Sequence, residues 1–108
     1  MSIRDLKWST REKKIARAAY DKGYKREMQR IQGAVYEMAK NFKEGNDAWR
    51  LHDYLTQKRR EVDAKYDYRY SVLIFVLGRL LREGLISDED LEGLSQDKVE
   101  MIGRISEI

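Results

Sequence analysis

Any chemistry in this chain would have to pass through very few residues. His52 is the only histidine, it stands beside Asp53, and the 108 residues contain no cysteine. A histidine beside a carboxylate is the minimum of a general acid–base pair. Adjacent residues do not share a helix face, however, and no serine sits at a nucleophile elbow. One histidine without cysteine cannot build a typical zinc site. The ordinary role of such a histidine is an interfacial hydrogen bond. Asp88 and Asp90 pair two carboxylates, but at a helix start, where acids complement the positive end of the dipole. Gly78, Gly84, Gly93 and Gly103 are isolated and form no glycine-rich phosphate loop. Lys58-Arg59-Arg60, with tyrosines nearby, has the composition of a phosphate or RNA contact. Glu61 and Asp63 dilute that field, and the remaining basic residues are too interspersed with acids to form a stripe. The sequence therefore predicts neither an enzyme, a metal site, a cofactor nor a nucleic-acid partner.

Binding is the chemistry that remains. Trp49, His52, Thr56, Arg59 and Asp63 recur at spacings of 3, 4, 3 and 4 and form one stripe on a helix. An aromatic, an acid and an arginine beside an apolar seam is the composition of a protein interface. It is equally the composition of a solvated helix flank, and the residues alone leave both readings open.

The elements that would position this stripe are helical. There is no proline, so nothing interrupts long helices. A chain of this length is one domain with a modest core. Ser9-Thr10-Arg11-Glu12 is a capping box. After it Tyr24, Met28, Ile31, Val35, Met38 and Phe42 follow at alternating spacings of 4 and 3, a heptad seam. A helix of about 35 residues, roughly 50 Å long, should end at Gly45 as its C′ residue. Asn46 or Asp47 then caps a second helix, whose seam is Ala48, Leu51, Leu55, Lys58, Val62 and Tyr66. A short loop between two long helices makes an αα-hairpin. Because the second helix is shorter, part of the first seam stays uncovered, which predicts a homodimer.

From Tyr66 the pattern changes. Tyrosines alternate with Asp67 and Arg69, and Val72 to Leu77 is apolar throughout. Alternation suits a strand, but no second strand candidate exists, so a helix is predicted, with residues 70–83 as the buried core of a small head. Gly84 ends it. Ser87 starts a short helix carrying Leu91 and Leu94, and Ser95 caps another with Val99, Ile102 and Ile105 inward. The expected architecture is all-α: a long-helix stem (1–65) that dimerises, and a helical head (66–108). The charge is split. Residues 1–84 hold 20 basic and 12 acidic side chains, net +8; residues 85–108 hold 2 and 7, net −5. Such a division suggests an acidic partner or self-association. The longest apolar run is too short to span a bilayer, and residues 1–8 contain no apolar signal segment. The expectation is a cytoplasmic protein, not integral to a membrane.

Trp49-Arg50-Leu51-His52-Asp53-Tyr54-Leu55, then Lys58-Arg59, then KYDYRYSVLIFV from Lys65 to Val76, closely resembles the fluorescence recovery protein family of cyanobacteria. The likeness resumes at Glu83-Gly84 and at Leu91 to Leu94. The resemblance implies a helical protein that dimerises through its stem and acts on the orange carotenoid protein, a light-driven photoprotective quencher. Family members bind the C-terminal domain of its red form, speed return to the orange form and help detach it from phycobilisomes, so that antenna fluorescence recovers. That implies a site at the surface of thylakoid-bound phycobilisomes. Carried over residue by residue, the family's stem patch falls on Trp49, His52, Asp53 and Arg59, and its head position on Phe75. Trp49 would anchor the dimer; Asp53 and Arg59 would serve dimer contacts, partner contacts or both. The alternative is a recovery-protein-like helical dimeric adaptor with a different protein partner.

Overall fold

A computed structural model describes residues 3–108. After a short 3-10 turn at Ile3–Asp5 comes α1 (Thr10–Lys40), 31 residues long. The capping box forms as the sequence predicts. Ser9 Oγ accepts from the Glu12 amide at 3.1 Å, and Glu12 Oε1 accepts from the Ser9 amide at 3.1 Å. The C-terminus differs from expectation. α1 stops at Lys40, where the Asn41 side chain donates back to the Glu37 carbonyl at 2.7 Å. Gly45 does not terminate it: its φ of −60° is ordinary right-handed backbone, and it precedes α2 (Asn46–Lys65). Asp47 acts on the connecting loop, accepting the amides of Lys43 and Glu44 at 2.8 and 3.0 Å.

A second correction concerns residues 66–72. They are not helical. The alternating tyrosines belong to an extended strap laid along α1, and alternation puts Tyr66, Tyr68 and Tyr70 on one side of it. Their rings interlock with those of α1 and with Trp8, which precedes it. Tyr20 meets Tyr66 and Tyr68 edge-on at 5.4 and 4.9 Å, Tyr24 meets Tyr66 at 5.1 Å, and Trp8 meets Tyr70 at 5.8 Å. Edge-to-face pairs contribute beyond simple burial, and they hold the strap without a partner strand.

The head follows. α3 (Leu73–Arg82) buries Leu73, Ile74, Val76, Leu77 and Leu80. Gly84, at φ +71°, ends it as predicted, a left-handed turn that glycine makes without a Cβ clash. Ser87 caps only a 3-10 turn (Asp88–Leu91), shorter than the helix expected there, and α4 (Gln96–Ser106) starts directly after Ser95. One core joins Trp8, Ala16 and Ala19 of the N-terminal part to α3, Leu85, Ile86, Leu91, Leu94 and Ile102. The basic character of α1 has a structural use here. Arg26 and Arg30 donate to the carbonyls of Leu85, Glu83 and Gly84 at 2.9–3.2 Å, closing the C-terminal end of α3.

Gly78 sits where α3 crosses α4. A Cβ there would run into the Ile105 side chain and lie 3.3 Å from the Ile102 carbonyl. Gly78→Ala should therefore destabilise by about 2 kcal/mol, despite the roughly 1 kcal/mol that alanine contributes to helix propensity. Urea unfolding measures it; a variant as stable as wild type would mean that the crossing opens freely. Beyond Glu27 no residue of α1 is buried. There α1 and α2 project as a stem, giving extents of 55 × 24 × 23 Å.

A candidate protein interaction surface on the stem

α2 lays Val62 and Lys65 inward, leaving its opposite face to solvent. The predicted stripe runs along the exposed flank between that face and the buried seam. Trp49 is 67% exposed, with the His52 ring edge-on at 6.4 Å. Arg59 Nε donates to both carboxylate oxygens of Asp63 at 3.2–3.3 Å, the i,i+4 pair implied by the spacing. His52 and Asp53, expected on separate faces, do meet: Nδ1 lies 3.4 Å from Oδ1, in a contact open to water on both sides. Trp49, His52, Asp53 and Arg59 thus share one exposed helix surface. Phe75 does not join them. It lies half exposed on α3, in the head. A ten-residue helix packed on one side against the core cannot bury its whole circumference, so an apolar run did not make Phe75 a core residue.

Two depressions flank the stripe. One is a groove of about 330 Å³ between the helices, lined by Tyr24, Met28, Ile31, Leu55, Lys58 and Val62, with Arg59 and Asp63 at its rim. The other is shallow and lined by His52, Leu55, Thr56, Arg59 and Arg60. Leu55 and Arg59 border both, so groove and stripe are one continuous surface. The groove is where the two predicted seams meet, and they do not close over it. Tyr24 and Leu55, both seam residues, remain about 40% exposed, as does Phe42 beyond the end of α1. Lys58 Nζ lies 3.2 Å from Glu61 Oε2. That bond holds the Lys58 ammonium above its ordinary value, against the opposing effect of burial.

Isolated exposed apolar residues are unremarkable, whereas a contiguous aromatic and aliphatic surface with arginine at its centre has the composition of a protein interface. Tyr36, the other widely exposed ring of the stem, was not singled out by the sequence, because it stands off the 3–4 seam. A helical projection placing it opposite Val35 and Met38 would have shown this. Among the described residues no group of His, Asp or Glu is arranged to hold a metal ion, and no helix is long and apolar enough to cross a membrane.

Comparison with known proteins gives a consistent result. A family model described as "Photoprotection regulator fluorescence recovery protein" matches residues 8–106. The curated fluorescence recovery protein of Synechocystis sp. PCC 6803 is 41% identical over 101 residues, spanning 94% of this chain and 93% of that protein. The solved fluorescence recovery protein of Fremyella diplosiphon superposes with a TM-score of 0.89 at 43% identity, covering 94% of this chain and all of that one. The solved Synechocystis protein does so with a TM-score of 0.89 at 40% identity and the same coverage.

Proposed function

The chain belongs to the fluorescence recovery protein family of photoprotection regulators, and from that premise we propose that it is a non-enzymatic binding protein acting on the orange carotenoid protein. It engages the C-terminal domain of the red, activated form, accelerates return to the orange form and releases it from phycobilisomes. The observation that carries this reading is the continuous exposed surface of the stem, on which the family-matching residues Trp49, His52, Asp53 and Arg59 stand together. Phe75, exposed on the head, is a second partner contact.

The working unit is a homodimer through the stem. The open groove supports this, as does its charge pattern. Lys58 and Arg59 stand beside Glu61 and Asp63, so the surface carries both signs of charge, which an isologous interface can pair. To shift the carotenoid protein toward one state, the dimer must bind the two states unequally. To speed re-closure, it must bind the transition state better than the open form. A scaffold that holds separated domains close raises their effective concentration and acts in the same direction.

The test is optical. An orange carotenoid protein from the same organism is photoconverted to red, the light is switched off, and its dark return is followed with and without this protein. Substoichiometric acceleration is expected. An unchanged rate overturns the reading in favour of a dimeric adaptor with another partner. Trp49→Ala removes the anchor, and should weaken the dimer by about 2 kcal/mol, roughly thirtyfold in its dissociation constant by sedimentation. An unaltered constant would move the interface off this stripe.

A further inference from the structure

The floor of the stem groove is apolar except at one position. Lys58 occupies the seam slot between Leu55 and Val62 and lines the groove with Tyr24, Met28 and Ile31. Its side chain is only 36% exposed even in the single chain, and its partner Glu61 is 40% exposed. Its ammonium also lies 5.9 Å above the Tyr54 ring. Glu61 is three residues along the same helix, so the pair forms before any second copy arrives. A lone lysine in a helical seam fixes register and oligomeric state at a cost in stability.

We propose that Lys58, held by Glu61, sets the alignment and the lifetime of the stem dimer. The occupant of the groove is a second copy of this chain. Seam residues of both helices, Tyr24 and Leu55, stay open at the groove, and its surroundings carry both signs of charge in Lys58, Arg59, Glu61 and Asp63, as pairing with an identical surface requires. When the copy closes over the groove it must take the Lys58–Glu61 pair out of water. Only the alignment that keeps the pair intact is tolerated, and the desolvation keeps the dimer weak enough to exchange. An all-apolar seam would bind more tightly and choose its register less strictly.

This inference rests on the homodimer proposed above, and sedimentation across a dilution series separates the two. Lys58→Met combined with Glu61→Gln removes both charges together, fills the slot with an apolar chain of similar length and should tighten the dimer at least about tenfold. Glu61→Gln strands the Lys58 charge and should loosen it by about tenfold. The opposite signs are diagnostic, since a merely solvated lysine would give neither. Both positions are half exposed on a helix, and circular dichroism verifies that each variant retains its helicity. A dimer of the Lys58→Met, Glu61→Gln double variant no tighter than wild type overturns the proposal, and so does a dimer of the single Glu61→Gln variant as tight as wild type. A wild-type chain that sediments as a monomer at every concentration removes the homodimer reading, and this inference with it.

Discussion

Replacing Lys65 by methionine will lower the unfolding free energy by about 3 kcal/mol, enough to drop the melting temperature by roughly 12–20 °C. Lys65 is the last residue of α2, and its side chain is 3% exposed. Its ammonium donates to both carboxylate oxygens of Glu27 on α1 at 2.8 Å and to Glu83 Oε1 at 2.7 Å. Glu83 is held in turn by Arg79 at 2.8 Å. Burial pushes the Glu83 carboxyl up, and the bonds from Lys65 and Arg79 overcome that and hold it below its ordinary value. One cation therefore joins α2, α1 and the end of α3. Methionine packs in the same space but leaves two carboxylates facing each other without it. The cost falls at the lower end for a broken buried pair because Glu83 keeps Arg79 and is 31% exposed. Two controls sharpen the expectation. Removing one stranded charge, in Lys65→Met with Glu27→Gln, should recover a large part of the loss. The deficit should also shrink as the pH falls through the carboxylate range, because protonation relieves like-charge repulsion in the variant. A Lys65→Met protein melting within about 3 °C of wild type would show the three groups to be solvated.

None of that junction is visible in the sequence. Glu27, Lys65 and Glu83 are 38 and 18 residues apart, and only the packing of three helices brings them together. What was legible is what short-range physics decides. The Ser9–Glu12 capping box lies within one turn, and the stem stripe is fixed by helical spacing alone. Glycine was half legible. At Gly84 the chain needs the left-handed turn that glycine permits, whereas at Gly45 glycine's freedom goes unused. Permission is not requirement, and Asn41 ends the helix by a side-chain bond that sequence spacing does not announce. The tyrosine strap was misread for a different reason. Absence of a partner strand was taken to exclude extended backbone, but side-chain packing of Tyr66, Tyr68 and Tyr70 on Trp8, Tyr20 and Tyr24 holds it instead. The stripe itself was found, yet its exposure was not, because that depends on which side of α2 the first helix takes.

Glu12→Gln should cost about 3 kcal/mol at pH 7, and the cost should vanish in acid. Glu12 caps α1, but its carboxylate does more than capping requires. It accepts the Ser9 amide at 3.1 Å, the Ser95 amide at 2.9 Å and the Lys98 ammonium at 3.1 Å to each oxygen. Lys98 is itself nearly buried, donating to the Lys7 carbonyl at 2.7 Å and lying 4.9 Å above the Trp8 ring. The start of α1 and the start of α4 are thus tied through one charge. Burial pushes the Glu12 carboxyl up; the Ser95 and Ser9 amides and Lys98 together outweigh it and bring the value from 4.5 down to about 2. A group with a depressed folded value contributes its stability above its unfolded value and loses it as pH falls through the folded one. That contribution, on the order of 3 kcal/mol, is therefore complete at pH 5 to 7 and drains away from about pH 4.5 toward pH 2. Glutamine can accept one amide bond but cannot neutralise Lys98, so its loss is nearly the whole amount at neutral pH. In urea unfolding from pH 7 to pH 3, the wild-type curve should descend toward that of Glu12→Gln as acid removes the same charge from both. A gap between the two that stays constant over that range would show that Glu12 acts there as a hydrogen-bond acceptor alone, with Lys98 satisfied elsewhere.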